Sequence, residues 1–185
     1  MLMLTAASVS SVMILNELNK SRRALPMCIF YYGTEVGATV KPAAGMTVYS
    51  TRCVTKNPSI HNIWVINQVE NSGTYMICVD GTDLCYGHTK KEDMTKYDYS
   101  TPWFINTFNG AGKLFIKDPT SPYQRWTNST AQPKRFMNVG TQLCDRVFSS
   151  GSGVTFPLET EPCKKNEQNP VYEKSRQWNF VDTVQ

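Results

Sequence analysis

The sequence lacks the features of a membrane-spanning or a disordered chain. None of its 185 residues belongs to an uncharged apolar run of about 18 residues, the length that a membrane-spanning helix needs. Charged residues make up only 18% and apolar residues 41%, which is too apolar for a disordered tail. Glycine (11) and proline (10) are too sparse for a low-complexity segment. The length and composition therefore predict one folded domain.

Side chains suited to catalysis are also scarce. The chain has two histidines, His61 and His88, and neither stands in a serine-nucleophile, acid–base or metal-ligand motif. The paired carboxylates Glu92-Asp93 and Glu159 with Glu161 are interpreted as solvated loop residues. An enzyme needs a nucleophile, a base and an orienting group within reach of one another. The sequence therefore predicts a non-catalytic protein without a cofactor.

Excess charge is modest as well. The net charge is +4, and the isoelectric point of about 8.7 is below that of most dedicated nucleic-acid binders. The basic residues fall in scattered pairs, Arg22-Arg23, Lys90-Lys91, Lys134-Arg135 and Lys164-Lys165. Pairs of this kind are usually solvated surface, so nucleic acid is not favoured as a partner.

The six cysteines form no C-x-x-C pair, which argues against a zinc site. They stand at Cys28, Cys53, Cys78, Cys85, Cys144 and Cys163. Cys78, Cys85 and His88 are the one zinc candidate, and a fourth ligand is lacking. Two or three disulfides would indicate a secreted or cell-surface protein. Free buried thiols in a cytoplasmic protein are the alternative.

The first eleven residues are apolar and small, and they resemble the remnant of a secretion signal. A complete signal would start with basic residues, and serines and a threonine interrupt the apolar run here. The chain is either a short signal plus a domain or a domain without its leader. If it is secreted, the triplets at 19–21 and 128–130 are glycosylation acceptors.

Short apolar bursts dominate the rest of the chain, and no convincing helical stripe appears. The bursts cover 27–32, 46–53, 63–69, 74–79, 103–108, 113–117, 135–139, 143–148, 154–158 and 178–181. Turn-forming clusters separate them, at 71–73, 109–112 and 150–153. Many short strands with turn signals between them predict an all-β sandwich or barrel.

Three segments share one pattern, a tryptophan with an apolar residue two positions later. Trp64, Trp103 and Trp178 are followed by Ile66, Ile105 and Phe180. Residues two apart in a strand point to the same face, so the pattern predicts three equivalent places around one core. In the repeat, a strand follows each tryptophan segment, and the strand in that position after the third tryptophan would be residues 12–16. Pairing of this first strand with the last one would close a barrel. Chance matches in an aromatic-rich chain are the alternative.

The spacing of these tryptophans is unequal, since 103 − 64 = 39 and 178 − 103 = 75. A long insertion in the third repeat, around 119–133, would explain the difference. Trp126 then falls outside the repeat and is expected to be an exposed contact residue or the lid of the insertion.

These units resemble those of the ricin-type (Gln-x-Trp) β-trefoil lectins. The third unit fits best, with 142–147, 154–163 and 177–180. The first unit uses 26–30, 48–53 and 63–66, and the second uses 76–81 and 102–105. The resemblance implies one β-trefoil domain over 12–185, preceded by the apolar segment 1–11. It has about twelve short strands, in repeats of about 12–69, 70–110 and 111–185.

The resemblance also implies how the cysteines pair. Cys28 would join Cys53, and Cys144 would join Cys163, each pair within one repeat. Cys78 and Cys85 are left together, and a turn at 80–83 would bring them face to face.

A sugar site is the main functional implication of the resemblance. In the family, an aspartate two residues after the first cysteine accepts hydrogen bonds from sugar hydroxyls, and an aromatic ring stacks on the sugar. Asp80 matches that position, with Tyr86, Tyr97 or Tyr99 as its platform. Asp145 follows Cys144 one residue early, so its side chain would face the other way. Phe30 fills the position in the first unit.

The resemblance therefore favours a non-catalytic lectin for a galactose-type glycan. Trp64, Trp103, Trp178 and Phe180 are assigned to the structural core. Asp80 could instead be an ordinary turn residue beside Gly81. The alternative function is a β-trefoil protein-binding module that uses loops 119–133 and 164–176, either as a protease inhibitor or as a docking or structural protein. This alternative includes association with a ribosome or a nucleic acid. An Asp80 pocket filled by neighbouring side chains would favour that alternative.

Overall fold

The computed structural model describes residues 11–16, 27–31, 41–52, 62–96, 107–128, 135–147, 155–163 and 174–183. The strands in these ranges are β1 (Ser11–Asn16), β2 (Met27–Tyr31), β3 (Val48–Arg52), β4 (Trp64–Val69), β5 (Thr74–Val79), β6 (Leu84–His88), β7 (Thr95–Lys96), β8 (Phe108–Asn109), β9 (Gly112–Ile116), β10 (Trp126–Asn128), β11 (Phe136–Asn138), β12 (Leu143–Arg146), β13 (Thr155–Pro157), β14 (Glu159–Pro162) and β15 (Trp178–Asp182). Short 3-10 turns lie at Lys91–Asp93 and Pro122–Gln124. No helix within these ranges is long and apolar enough to cross a membrane.

Six strands form a barrel. Strand β4 pairs with β5, β10 with β11, and β15 with β1, all antiparallel. Two further pairings, β1 with β4 and β5 with β10, connect these hairpins. Between β11 and β15, the rings of Phe136 and Phe180 meet with centroids 6.0 Å apart. The predicted closure of the barrel by the last strand against the first is therefore confirmed.

Three hairpins extend this barrel, one from each unit. They are β2 with β3, β6 with β9, and β12 with β14. Each is connected to the barrel through its first strand, which pairs with β1, β5 or β11. Six barrel strands and three such hairpins are the β-trefoil architecture, so the predicted fold is confirmed. The short strands β7, β8 and β13 add to the hairpin layer.

Alternating side chains explain why these sequences form barrel strands. In β5, Tyr75, Ile77 and Val79 belong to the main core, while Met76 and Cys78 lie in a smaller cluster on the other face. Successive side chains of a strand point to opposite faces, so a strand covered on both sides needs apolar residues at every position. This explains the continuous apolar run that marked β5 in the sequence.

The three units are related by one repeated hydrogen bond. The indole nitrogens of Trp64, Trp126 and Trp178 each donate to a backbone carbonyl at 3.0 Å. The acceptors are the carbonyls of Ile29, Tyr86 and Asp145, the residues directly after Cys28, Cys85 and Cys144. Trp126 is therefore the second anchor of the repeat.

The sequence-based interpretation of Trp126 is wrong. Its side chain has no exposed surface, and it packs against Tyr86 and Phe136 with ring centroids 4.7 and 5.1 Å apart. It is neither an exposed contact residue nor a lid, because an indole gains more from burial in an aromatic core than from solvent contact. Trp103, the expected anchor, lies outside the described residues.

The position of Trp126 changes the division into units. Residues 122–128 of the expected insertion form a 3-10 turn and the barrel strand β10. We propose that the units run over 11–69, 74–128 and 136–182. Each unit then contains two barrel strands and one hairpin. Strand β1 already begins at Ser11, and the preceding residues lie outside the described ranges.

Two disulfides agree with the predicted pairing. Cys78 and Cys85 are bonded between directly opposite positions of β5 and β6, across the predicted turn at 80–83. Cys144 is bonded to Cys163 within the third unit. The zinc alternative is wrong, because the two thiols that it requires are joined to each other. Cys53, the expected partner of Cys28, lies outside the described residues.

Candidate functional site

Asp80 lies at the tip of the β5–β6 hairpin. The hydrogen bonds of this turn come from Thr82, whose backbone amide and hydroxyl donate to the Val79 carbonyl at 3.2 and 3.0 Å. Gly81 has φ of +69°, a left-handed conformation that favours glycine. The exposed Asp80 carboxylate accepts a long hydrogen bond of 3.4 Å from the Ser11 hydroxyl. Thr82 therefore holds the turn, and the Asp80 carboxylate is accessible to a ligand.

The Asp80 carboxylate lines an open pocket of about 340 Å³ on the outer face of β4 and β5. Asn67, Asp83 and Lys117 also line it. Carboxylate and amide oxygens accept hydrogen bonds from sugar hydroxyls, and amide and ammonium groups donate to them. No side chain of the described residues fills this pocket, so the observation that would have favoured the protein-binding alternative is not made there.

The match of Asp80 to the family position is, however, not supported by the repeated tryptophan hydrogen bond. That bond makes Cys85 the first cysteine of the second unit, so Gly87 occupies the position two residues later. A Cβ at Gly87 would lie only 2.5 Å from the carbonyl oxygen of Tyr123, which leaves no room for an aspartate. Any role of Asp80 therefore rests on the chemistry of its own pocket.

Two residues predicted to contact sugar lie inside the protein. Tyr86 is 0% exposed and Asp145 is 1% exposed, so neither side chain reaches a ligand at the surface. Both directly follow the first cysteine of their unit, in the position that faces the core in all three units. The doubt about Asp145 that came from its one-residue shift is thus justified. Tyr97 and Tyr99, the other predicted platforms, lie outside the described residues.

Asp145 organises a buried polar cluster. Its carboxylate accepts hydrogen bonds from the Tyr86 hydroxyl and, at 2.6 Å, from the Thr160 hydroxyl. The His88 Nε2 atom lies 3.0 Å from Asp145 Oδ1, and His88 Nδ1 lies 2.9 Å from Thr141 Oγ1. Such a set resembles an acid–base group, but it is enclosed by the core. Its role is to satisfy a buried carboxylate, which would otherwise be very costly.

Buried tyrosines should make the protein sensitive to alkali. Burial raises the pKa of Tyr86 well above its ordinary value of 10.0, and the charge and hydrogen bond of Asp145 raise it further. Burial also raises the pKa of Tyr75. Above pH 10 the unfolded state therefore releases protons that the folded state retains. The free energy of unfolding should fall there by about 1.4 kcal/mol per pH unit for each tyrosine.

Urea unfolding at pH 9, 10, 10.5 and 11 measures this slope. Tyr75 and Tyr86 are the two tyrosines with a raised pKa among the described residues, and Tyr75→Phe removes one of them. The substitution should reduce the slope by about 1.4 kcal/mol per pH unit. An identical slope in wild type and Tyr75→Phe would contradict this account.

The carboxylates of Glu159 and Glu161 are buried, which corrects their interpretation as solvated loop residues. Glu159 and Glu161 lie in β14, where Glu159 is opposite Arg146 of β12 and Glu161 is opposite Cys144. Arg146 forms ion pairs with both, at 3.4 Å between Arg146 Nε and Glu161 Oε2, and Arg176 also pairs with Glu161. These carboxylates balance buried arginines, so they are structural.

Two further predictions are corrected by burial. Phe180, assigned to the core, is 40% exposed because it lies near the open end of the barrel. Arg135, assigned to a surface basic pair, is buried and donates from Nη1 to the Cys163 carbonyl at 2.8 Å. One of the four basic pairs therefore contributes at most one surface charge.

Comparisons with family models and with curated proteins give no match. Solved structures do match. The designed threefold-symmetric protein ThreeFoil has a TM-score of 0.62 and 8% identity, over 93% of this chain and 98% of that chain. The cytolethal distending toxin of Haemophilus ducreyi has a TM-score of 0.61 and 8% identity, over 95% and 85%. Polyporus squamosus lectin bound to Neu5Acα2-6Galβ1-4GlcNAc has a TM-score of 0.53 and 12% identity, over 96% and 50%.

At these identities the likeness shows the fold alone. The similar structures are β-trefoil proteins, and carbohydrate-binding lectins and a toxin are among them. The fold thus defines the architectural class of this chain, and its function has to be argued from its own pockets.

Proposed function

We propose that the protein is a non-catalytic, secreted glycan-binding β-trefoil whose first ligand class to test is galactose-type sugars. The open pocket at Asp80 is the single observation that carries the proposal. Asp80 is exposed there, and Asn67 and Lys117 also line the pocket. The two disulfides favour an oxidising compartment. Lectins among the proteins of the same fold add support.

The protein-docking alternative has lost part of its basis. It relied on two long loops, and residues 122–128 of the first are a 3-10 turn and a barrel strand. Trp126, which was expected to be an exposed contact residue or a lid in the first loop, is buried. Residues 164–173 of the second loop lie outside the described ranges. Glycan binding therefore remains the function that the described surface supports best.

The change Asp80→Ala should weaken glycan binding by roughly 10- to 100-fold. A hydrogen bond to a charged group contributes about 1.5–3 kcal/mol, and the substitution removes the carboxylate acceptor of the pocket. The side chain is exposed, so the free energy of unfolding should change by less than about 0.5 kcal/mol. A glycan array identifies the ligand, and calorimetric titration with that ligand measures the loss.

Asp93→Ala is the matched control, because Asp93 is an exposed aspartate in the 3-10 turn Lys91–Asp93. It should bind like wild type. Equal affinity of Asp80→Ala and wild type would remove the assignment of this pocket. A chain that binds no glycan on the array would remove the proposed function itself.

A further inference from the structure

The barrel opens at one end into a second cavity, of about 520 Å³. We call it the barrel mouth and define it by Gln68, Tyr75, Asn128, Phe136, Asn179 and Phe180, which line it. These residues come from β4, β5, β10, β11 and β15, so five of the six barrel strands contribute. A volume of this size is within the usual range of small-ligand sites.

The sequence of the repeat explains why the mouth is open. Two residues after the anchor tryptophans stand Ile66, Asn128 and Phe180, which share one level of the barrel. Asn128 is exposed and places a polar amide where its equivalents are apolar. Its Oδ1 accepts a hydrogen bond of 3.4 Å from the Tyr75 hydroxyl. Apolar side chains therefore close the level of the tryptophans. They do not close the level of Ile66, Asn128 and Phe180, because Asn128 is polar.

A rigid aromatic platform forms one side of the mouth. The Phe180 ring stacks on Phe136 at 6.0 Å and 29°, and it meets the Tyr75 ring edge-on at 5.8 Å and 87°. Phe136 and Tyr75 are buried, so they hold Phe180 in place while 40% of Phe180 stays exposed. A held aromatic ring with an accessible face is the surface that the C–H face of a sugar ring needs.

Amide groups supply the polar side of the mouth. Gln68 and Asn128 are exposed at its rim, and each amide offers both a donor and an acceptor. Among the described residues that line the cavity, none carries a charge. Such a site suits a ligand with hydroxyl groups and an apolar face, and it has no cation for an acidic sugar.

We propose that the barrel mouth binds one neutral hexose ring of a glycan, stacked on Phe180 and hydrogen-bonded to the amides of Gln68 and Asn128. This inference rests on the proposed glycan binding and adds a site that is separate from the Asp80 pocket. The two sites use opposite faces of β4, since Asn67 lines the Asp80 pocket and Gln68 lines the mouth. Their effects can therefore be measured independently.

The test uses Phe180→Ala, Phe180→Trp and Gln68→Ala. The full chain is made in a bacterial host, because Asn128 begins a glycosylation triplet. The probes are the methyl glycosides of galactose, glucose, mannose and N-acetylgalactosamine, with N-acetylneuraminic acid as the acidic sugar. Loss of the stacking face should weaken binding of the neutral sugars by about tenfold in Phe180→Ala. Phe180→Trp should retain the binding, and Gln68→Ala should weaken it several-fold.

Val181→Ala is the matched control, since Val181 is the next residue of β15, similarly exposed, and does not line the mouth. It should bind like wild type, and so should Asp80→Ala at this site. Neutral sugars that bind equally well to wild type, Phe180→Ala and Gln68→Ala would overturn the barrel-mouth site and leave the proposed function intact. Tighter binding of N-acetylneuraminic acid at the mouth would also overturn it. A wild-type chain that binds none of the probes and no glycan on the array would overturn both.

Discussion

Replacing Asp145 with alanine should lower the free energy of unfolding by about 4 kcal/mol. The substitution leaves the hydroxyls of Tyr86 and Thr160 and the imidazole of His88 without their shared acceptor, inside a core that water does not reach. Breaking a buried charged cluster by removing one partner typically costs about 3–5 kcal/mol. Small domains are stable by only about 5–15 kcal/mol, so much of the total would be lost.

Equilibrium urea unfolding with intact disulfides measures this loss. Asp145→Asn is expected to lose less, because its amide keeps one acceptor oxygen and nearly the same volume. Asp93→Ala again serves as the exposed control. A loss of less than about 1 kcal/mol in Asp145→Ala would show that the cluster is not a structural centre of the fold.

The second large effect is expected for Trp126→Ala, with a loss of about 4 kcal/mol. Deleting a fully buried aromatic side chain costs about 3–5 kcal/mol through lost burial and the cavity left behind. Trp126→Phe retains most of the volume but leaves the Tyr86 carbonyl without its donor, at a cost of about 1–3 kcal/mol. Chemical unfolding of both variants provides the measurement.

The equivalence of the three tryptophans gives a sharper comparison. Trp64→Phe and Trp178→Phe remove the same 3.0 Å hydrogen bond from the first and third units. All three variants should lose similar amounts of free energy. A near-zero effect of Trp126→Phe beside large effects of the other two would contradict the assignment of Trp126 as the second anchor.

Most strands could be predicted from the sequence because their residues are apolar in period-two or continuous runs. The bursts at 63–69 and 74–79 correspond to β4 and β5, and the Asn-Ser-Gly cluster between them forms their turn, with Gly73 at φ +66°. Strand β14 was not among the predicted apolar bursts. It reads Glu-Thr-Glu-Pro, and its carboxylates are buried only because arginines from elsewhere in the fold meet them.

The candidate sites were harder to predict, for a related reason. Matching Asp80 to the family depended on choosing Cys78 as the first cysteine, and both Cys78 and Cys85 fit the sequence. The hydrogen bond from Trp126 to Tyr86 decides the choice, and this contact spans 40 residues. Likewise, the sequence predicts Phe180 as a core residue because it is apolar and lies two residues after Trp178. It is exposed only because that part of β15 lies at the end of the barrel.

The sequence by itself determined the all-β class, the three-unit barrel, its closure through the first strand, and two disulfides. Local alternation and turn residues act over a few neighbouring residues and predict the all-β class. The repeated tryptophan pattern predicts the three units and their closure, and the disulfide pairing follows from the resemblance to the β-trefoil lectins. The tertiary structure alone decided which tryptophan anchors the second unit, that Asp145 and Arg135 face inward, and where the two surface cavities open. Those outcomes depend on which distant strands meet, because burial and hydrogen bonding at one residue are set by partners that the local sequence does not contain.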